Sequence, residues 1–328
     1  MIKTEKVYQI TVPTPFPVGD VHMYLLKGET LSLIDAGVNT EEAWEAFQDQ
    51  IKQTGYSLRD IEQIILTHHH PDHTGLVSRF DHVQNVYAHS LVQKWLTKDQ
   101  DYFERYFQFF EDAYKTWGVP DRFQAVLKAI KSNQHLAGEG QLTGFLKDQD
   151  PLPGHEDWTV LETPGHAQSH LSFYNPATHE LMTGDHTLYH ISSNPLLEPP
   201  IEKQQPRPKP MLQYRESMEK MLTYEVNQVY PGHGPMFQQV DSIIRERLRK
   251  QEKRAEKVYF LLEDGPLTPF EICKRLFPKK FETQFELTLS ETMAQLDYLE
   301  SMNKVKIEQH ENHMTYRKAE GPCLDPTV

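Results

Sequence analysis

Residues 68–73 read His-His-His-Pro-Asp-His, and they follow the short strand-like segment IEQIIL at 61–66. No other stretch constrains the chain as strongly, because few folds gather so many imidazoles and a carboxylate at the exit of a buried strand. Side chains alternate along a strand, so His68 and His70 point the same way if the pleat continues. Asp72 and His73 come after the turn that Pro71 introduces. The first pair can reach one ion and the second pair a second position. Imidazole nitrogen and carboxylate oxygen suit zinc, and also iron or manganese. Seventeen histidines in 328 residues exceed ordinary usage, in keeping with metal chemistry.

Three further fragments repeat the theme: Pro164-Gly165-His166, Gly184-Asp185-His186 and Pro231-Gly232-His233-Gly234. Each follows a strand-like segment (WTVLE, HELMT and QVY), and glycine there lets the backbone turn tightly and approach a site. One fragment alone would mean little. Four in this order point to a metal centre.

His-x-His-x-Asp-His, then a single His, then Gly-Asp, then Gly-His-Gly resembles the signature of the metallo-β-lactamase superfamily, across residues 8–240. The resemblance implies an α/β fold, an αββα sandwich with its ligands on loops at one edge of two facing sheets. Carried over by position, His68, His70 and His166 would hold a first divalent ion, and Asp72, His73 and His233 a second. Asp185 would bridge them, as in the glyoxalase II and ribonuclease branches. Zinc β-lactamases commonly use a cysteine there, so the aspartate argues against antibiotic hydrolysis. The implied mechanism is hydrolysis by a metal-bridging hydroxide, with Asp72 handling the proton.

The other histidines near these motifs divide by position. His69 is expected to point away from the ions, while His170 and His186 are placed to hydrogen-bond behind the ligands. Tyr189 and His190, just past Asp185, are the expected substrate contacts. His22 and His155 read as surface or packing residues.

Outside the motifs, VHMYLLKG, LSLIDAG and NVYAHS read as strands and 40–54 as a helix capped by Thr40. Residues 97–150 form a helical insertion, whose stripe Phe103, Tyr106, Phe107, Phe110, Tyr114 and Trp117 is its packing face, a lid or a dimer contact. Residues 194–210 are proline-rich and irregular. From 241 to 318 the order is three helices and a hairpin, resembling the winged-helix-like extension of some members of the superfamily. The expected division is therefore a catalytic domain at 1–240, the extension at 241–318 and a tail at 319–328.

The net charge of −13 disfavours non-specific nucleic-acid binding. The helix of the extension that would enter a groove, LSETMAQLDYLESMNKV, carries three acidic residues and one lysine. A small basic cluster, Lys274, Arg275, Lys279 and Lys280, reads as a solvated face. No stretch suits a membrane span or signal peptide, and the two cysteines, Cys273 and Cys323, read as free thiols, so cytoplasm is the expected location. The expected function is hydrolysis of a small-molecule thioester or ester, with a ribonuclease or phosphodiesterase and a lactonase as alternatives. A homodimer is the expected assembly.

Overall fold

The computed structural model describes residues 7–319, so Cys323 and the tail beyond 319 lie outside the described residues. Strands β1 (Val7–Val12), β2 (Val21–Lys27), β3 (Leu31–Ile34), β4 (Gln63–Ile65), β5 (Asn85–Ala88) and β6 (Gly144–Phe145) line up in sequence order in one sheet. The pairs from β1 to β3 are antiparallel and those from β3 to β6 parallel. Parallel neighbours require crossovers. These are α1 (Glu41–Thr54), the short α2 (Pro71–Thr74), and a helical excursion of α3 (Val92–Leu96), α4 (Gln100–Thr116) and α5 (Gln124–Ser132).

A second sheet holds β7 (Pro151–Leu152), β8 (His155–Glu162), β9 (Leu171–Asn175), β10 (Glu180–Gly184) and β11 (Gln228–Pro231). It is antiparallel except for β10 and β11, which α6 (Pro210–Met221) connects. The sheets face each other through Tyr24, Leu26 and Ile65 on one side and Trp158, Phe173 and Tyr230 on the other. Helix α1 covers the outer face of the first sheet with Ala43, Phe47 and Ile51. Thr40 caps that helix by accepting from Ala43 N, as its sequence position predicts. Helix α6 and the start of α7 (Val240–Leu261) cover the second sheet through Tyr214, Met218, Met221 and Ile244. Helix, sheet, sheet, helix is the layering that the motifs imply.

The remaining helices form a second body. Asp99 caps α4 by accepting from Tyr102 N, and the helix sends Phe103, Tyr106, Phe107, Phe110 and Tyr114 to one side. They share one core with the end of α7, with α8 (Pro269–Leu276), α9 (Phe285–Ser301) and the hairpin of β12 (Val305–Gln309) and β13 (Met314–Lys318). The aromatic stripe of the excursion is thus covered by the chain's own C-terminal helices. Helix α9 is buried at every position from Thr288 to Asp297 and lies against α6, α7 and α8. The proline-rich loop is pinned to it: Arg207 pairs with Asp297 through two bonds of 2.8 and 2.6 Å, and Lys209 reaches Glu300 at 2.7 Å. No helix among the described residues is long and apolar enough to cross a membrane.

Candidate metal centre

The strands β4, β8, β10 and β11 all end at one edge of the sandwich, and each hands over to a loop that carries a motif. Pro71 opens α2 at its first turn, where its missing N–H costs nothing, and this turn swings Asp72 and His73 toward His68 and His70. Because β10 and β11 run parallel, the Asp185 and His233 loops emerge side by side, tied by Gly232 N to Gly184 O at 2.7 Å. Gly232 has no substitute here: a Cβ on it would fall 2.3 Å from Asp185 Oδ1 and 2.9 Å from the His73 ring. The first sheet closes the edge from the other side. His22 N donates to Gly232 O at 2.7 Å, and His22 Nε2 lies 2.6 Å from Gly234 O.

All seven expected ligands converge. His68, His70 and His166 form one group of mutually close donor atoms, Asp72, His73 and His233 a second, and His68, His73 and Asp185 a third that links them. Asp185 stands centrally, with one oxygen 3.3 Å from His73 Nε2 and the other 3.4 Å from His166 Nε2 and 3.5 Å from His233 Nε2.

Hydrogen bonds behind the rings fix which nitrogen faces inward. A carbonyl can only accept, so His166 Nδ1 donates to Asn194 O at 3.0 Å and His233 Nδ1 to Asp20 O at 2.7 Å. The Thr67 hydroxyl gives its single proton to Asp35, at 2.8 Å, and therefore accepts from His68 Nδ1 at 3.0 Å. Asp35 Oδ2 takes His73 Nδ1 at 2.7 Å. Each of these four rings presents Nε2 to the site, and His70 presents Nδ1.

That arrangement fits a cation. His68 Nε2 and His166 Nε2 lie 2.9 and 3.1 Å from His70 Nδ1, and at most His70 can supply a proton among the three. Lone pairs therefore converge on one point. In the other half, His73 Nε2, His233 Nε2 and Asp185 Oδ1 are buried and make no hydrogen bond. Buried polar atoms without partners are costly, and an ion would satisfy them.

The two halves differ in charge. Burial and the neighbouring His73 and His70 rings hold His68 well below the usual histidine range, and burial with His166 does the same to His70. Burial works against a charged His233 too, but Asp185 and Asp72 outweigh it and raise it to about 10. His73 rises likewise, against its burial, through Asp185, Asp35 and Asp72. The carboxylates thus favour positive charge in this half, where a second cation would stand.

The supporting residues fall as follows. His69 points away, stacked on Trp95 at 4.1 Å with Nδ1 2.8 Å from Ser169 Oγ. His170 accepts from Asp185 N at 3.1 Å, whereas His186 turns to Thr187 Oγ1 and touches no ligand through a hydrogen bond. His22, read from sequence as surface or packing, is buried and stitches the two sheets at the site. Tyr189 is exposed beside Phe237, and the exposed His190 lays its ring over Gly234, next to His233. Sequence reasoning missed Asp35, which holds both His73 and Thr67. Its one signal was a carboxylate closing the apolar strand of LSLIDAG. Ser193, which donates to Asp185 O, and Asn194 were also missed, because they lie in an irregular loop without a motif.

Comparison with known proteins agrees with this geometry. The family model described as metallo-beta-lactamase superfamily matches residues 16–233. The chain is 39% identical over 298 residues to the probable metallo-hydrolase YqjP of Bacillus subtilis (strain 168), covering 91% of this chain and 93% of that protein. The crystal structure of a metallo-beta-lactamase family protein from Thermus thermophilus superposes with a TM-score of 0.81 at 26% identity, covering 96% of this chain and 99% of that one. A beta-lactamase domain protein from Burkholderia ambifaria shares the fold at a TM-score of 0.79 and 21% identity, over 97% and 94% of the two chains. The helical body is therefore part of the shared architecture. With its ligand motifs, their convergence and these matches together, the chain belongs to the metallo-beta-lactamase superfamily.

Proposed function

We propose that this chain hydrolyses a small-molecule thioester or ester at a centre of two divalent ions, with zinc as the resident metal. The enzyme class, a metal-dependent hydrolase, follows from the family; the convergence of seven inward-facing donors in overlapping groups carries the two-ion reading. His68, His70 and His166 would hold one ion, Asp72, His73 and His233 the other, and Asp185 would serve both. Iron or manganese would meet compatible donors in the same set. When bound, the ions lower the pKa of a coordinated water and polarise the oxygen of the scissile bond.

The chain's own groups do the rest. Asp72, with Oδ2 3.4 Å from His233 Nε2, is placed to take up and return a proton during hydrolysis. Tyr189 and His190 stand on the exposed side of the Asp185 loop, where they would orient the substrate.

The burial of α9 favours a small substrate over a nucleic acid. The order of helices and hairpin, together with a bridge between Leu267 and Tyr316, supports a winged-helix-like reading of the C-terminal part. A winged-helix reader presents this helix to the groove. Here its middle ten residues are buried against the chain, and Glu291, Asp297 and Glu300 pair with Arg254, Arg207 and Lys209. In this reading the extension is scaffold.

The experiment is turnover of metal-analysed protein on acyl-thioesters and single-stranded RNA side by side, with Asp72→Ala as control. Thioester cleavage that drops by about 10²–10⁴-fold in the variant is expected. RNA cleavage alone would replace the proposed substrate class.

A further inference from the structure

Asp185 and His166 depend on a loop that has no regular structure of its own. Residues 186–194 form a strap that runs from the end of β10 to the backbone positions supporting Asp185 and His166. Ser193 Oγ donates to Asp185 O, and Asn194 O accepts the Nδ1 proton of His166 at 3.0 Å, which leaves His166 Nε2 free to face inward. Both supports fail if the strap shifts by more than a hydrogen bond's tolerance.

Backbone carbonyls of the strap that lack a sheet or helix partner need donors from elsewhere. One comes from α6, whose Tyr214 hydroxyl donates to His186 O at 2.5 Å. A second comes from Thr183, whose hydroxyl donates to Thr187 O at 3.0 Å, and three more carbonyls share a single side chain on α7. Arg247 Nη2 donates to Leu188 O at 3.2 Å, Tyr189 O at 3.2 Å and Ile191 O at 2.7 Å. This nitrogen has two hydrogens for three carbonyls, so one hydrogen is shared, and the three acceptors draw the strap into one turn around it. That turn sets where Ser193 and Asn194 begin. Helix α7 also runs into the helical body, where Ala255, Val258 and Leu262 join its aromatic core.

We infer that Arg247 is a positioning residue of the metal centre, through which the connector helix holds the strap against Asp185 and His166. The inference rests on the two-ion reading above. It makes the connector a part of the site and not a tether to it. The hydrogen bonds of Arg247 go to backbone carbonyls and to none of the seven donor side chains, so its removal should weaken ion binding without emptying the donor set. Supporting residues behind metal ligands typically change affinity by about 10–100-fold, and a residue acting at one remove belongs at the lower end.

The test compares the full chain with Arg247→Gln and with Arg245→Gln, an exposed arginine on the same helix whose loss changes the charge equally. Zinc affinity is read by chelator competition, the cobalt(II) absorption spectrum reports ligand geometry, and the thermal midpoint of the ion-free protein is recorded alongside. Arg247→Gln is expected to bind zinc roughly tenfold more weakly with an altered cobalt spectrum. Its ion-free midpoint should move by less than about 3 °C, and Arg245→Gln should match the wild type. Ser193→Ala combined with Arg247→Gln should be less than additive, since both act through the strap.

Unchanged zinc affinity and an unchanged spectrum in Arg247→Gln overturn the inference, as does an equal loss in Arg245→Gln. If Arg247→Gln does not fold, Arg247→Lys decides, because it keeps the charge and loses the planar fork. Weaker zinc binding in that variant supports the inference and wild-type affinity overturns it. A wild-type chain that binds no divalent ion overturns the two-ion reading itself, an outcome distinct from failure of the clamp.

Discussion

The edge of the sandwich and the helical body are both buried, but they bury opposite kinds of surface. At the edge lie imidazoles and carboxylates, three of the rings held from behind by one partner: Asp20 O behind His233, Asn194 O behind His166, Asp35 behind His73. In the helical body lie packed aromatic rings, with Phe123 and Phe285 centroids 4.1 Å apart and Tyr114 edge-on to Phe285 at 5.6 Å. A hydrogen bond specifies direction and one atom, so a wrong partner at the edge misplaces a ligand. Ring packing is roughly proportional to buried area, so a wrong partner in the body costs stability and leaves chemistry intact. The edge should therefore fail in function first and the body in stability first.

The largest effect should come from breaking the body. Phe285→Ala removes a ring that is 2% exposed and touches Tyr114, Phe123 and Phe270, and is expected to cost about 3–5 kcal/mol in chemical denaturation. Zinc bound per folded molecule should stay at the wild-type level. A matching loss of zinc affinity would show that the two regions are not separable in this way.

The converse is Asp35→Asn. An amide nitrogen placed toward His73 Nδ1 would meet a donor, and the ring could be satisfied only by moving its proton to Nε2, the atom meant for the ion. Zinc affinity is expected to fall by about 10–100-fold. The same change with the amide oxygen toward His73 would spare it, and chelator competition distinguishes the outcomes.

A smaller, pH-dependent effect sharpens the comparison from within the body. Burial raises the Glu286 carboxyl from an ordinary 4.5 to about 7, beside Tyr106 and Tyr114. The folded protein then holds a proton that the unfolded chain has lost, so stability should fall as pH rises from about 4.5 to about 7 and level off above. Glu286→Gln removes this penalty. It is expected to be about 1–3 kcal/mol more stable than the wild type at pH 8 and nearly equal to it at pH 4.5, by denaturation at both.

Much of the sandwich was legible because its signals are local. The strands β2 to β5 and β8 to β11 sit where short apolar runs end in turns, and Thr40 caps α1 as its position suggests. Strand β1 was not read, since VYQITV mixes polar residues into a largely buried edge strand, and β6 and β7 are two-residue edge pieces. The seven candidate ligands were legible because their motifs recur in a fixed order. Asp35 and His22 were not, because each acts through a partner far along the chain: Asp35 on His73 and His22 on Gly234. The α4 stripe was read as a stripe, and its partner was not read at all.

The sequence alone determined which seven side chains would gather as candidate metal ligands, because those residues lie within a few positions of strand ends whose direction the chain dictates. Only the tertiary structure decided what stands behind them and what covers the excursion. Hydrogen-bond partners such as Asp35 and Arg247, and the meeting of α4 with α9, depend on where distant segments come to rest. Apolar packing has no pairwise code, and one donor looks much like another until the fold brings it to its acceptor.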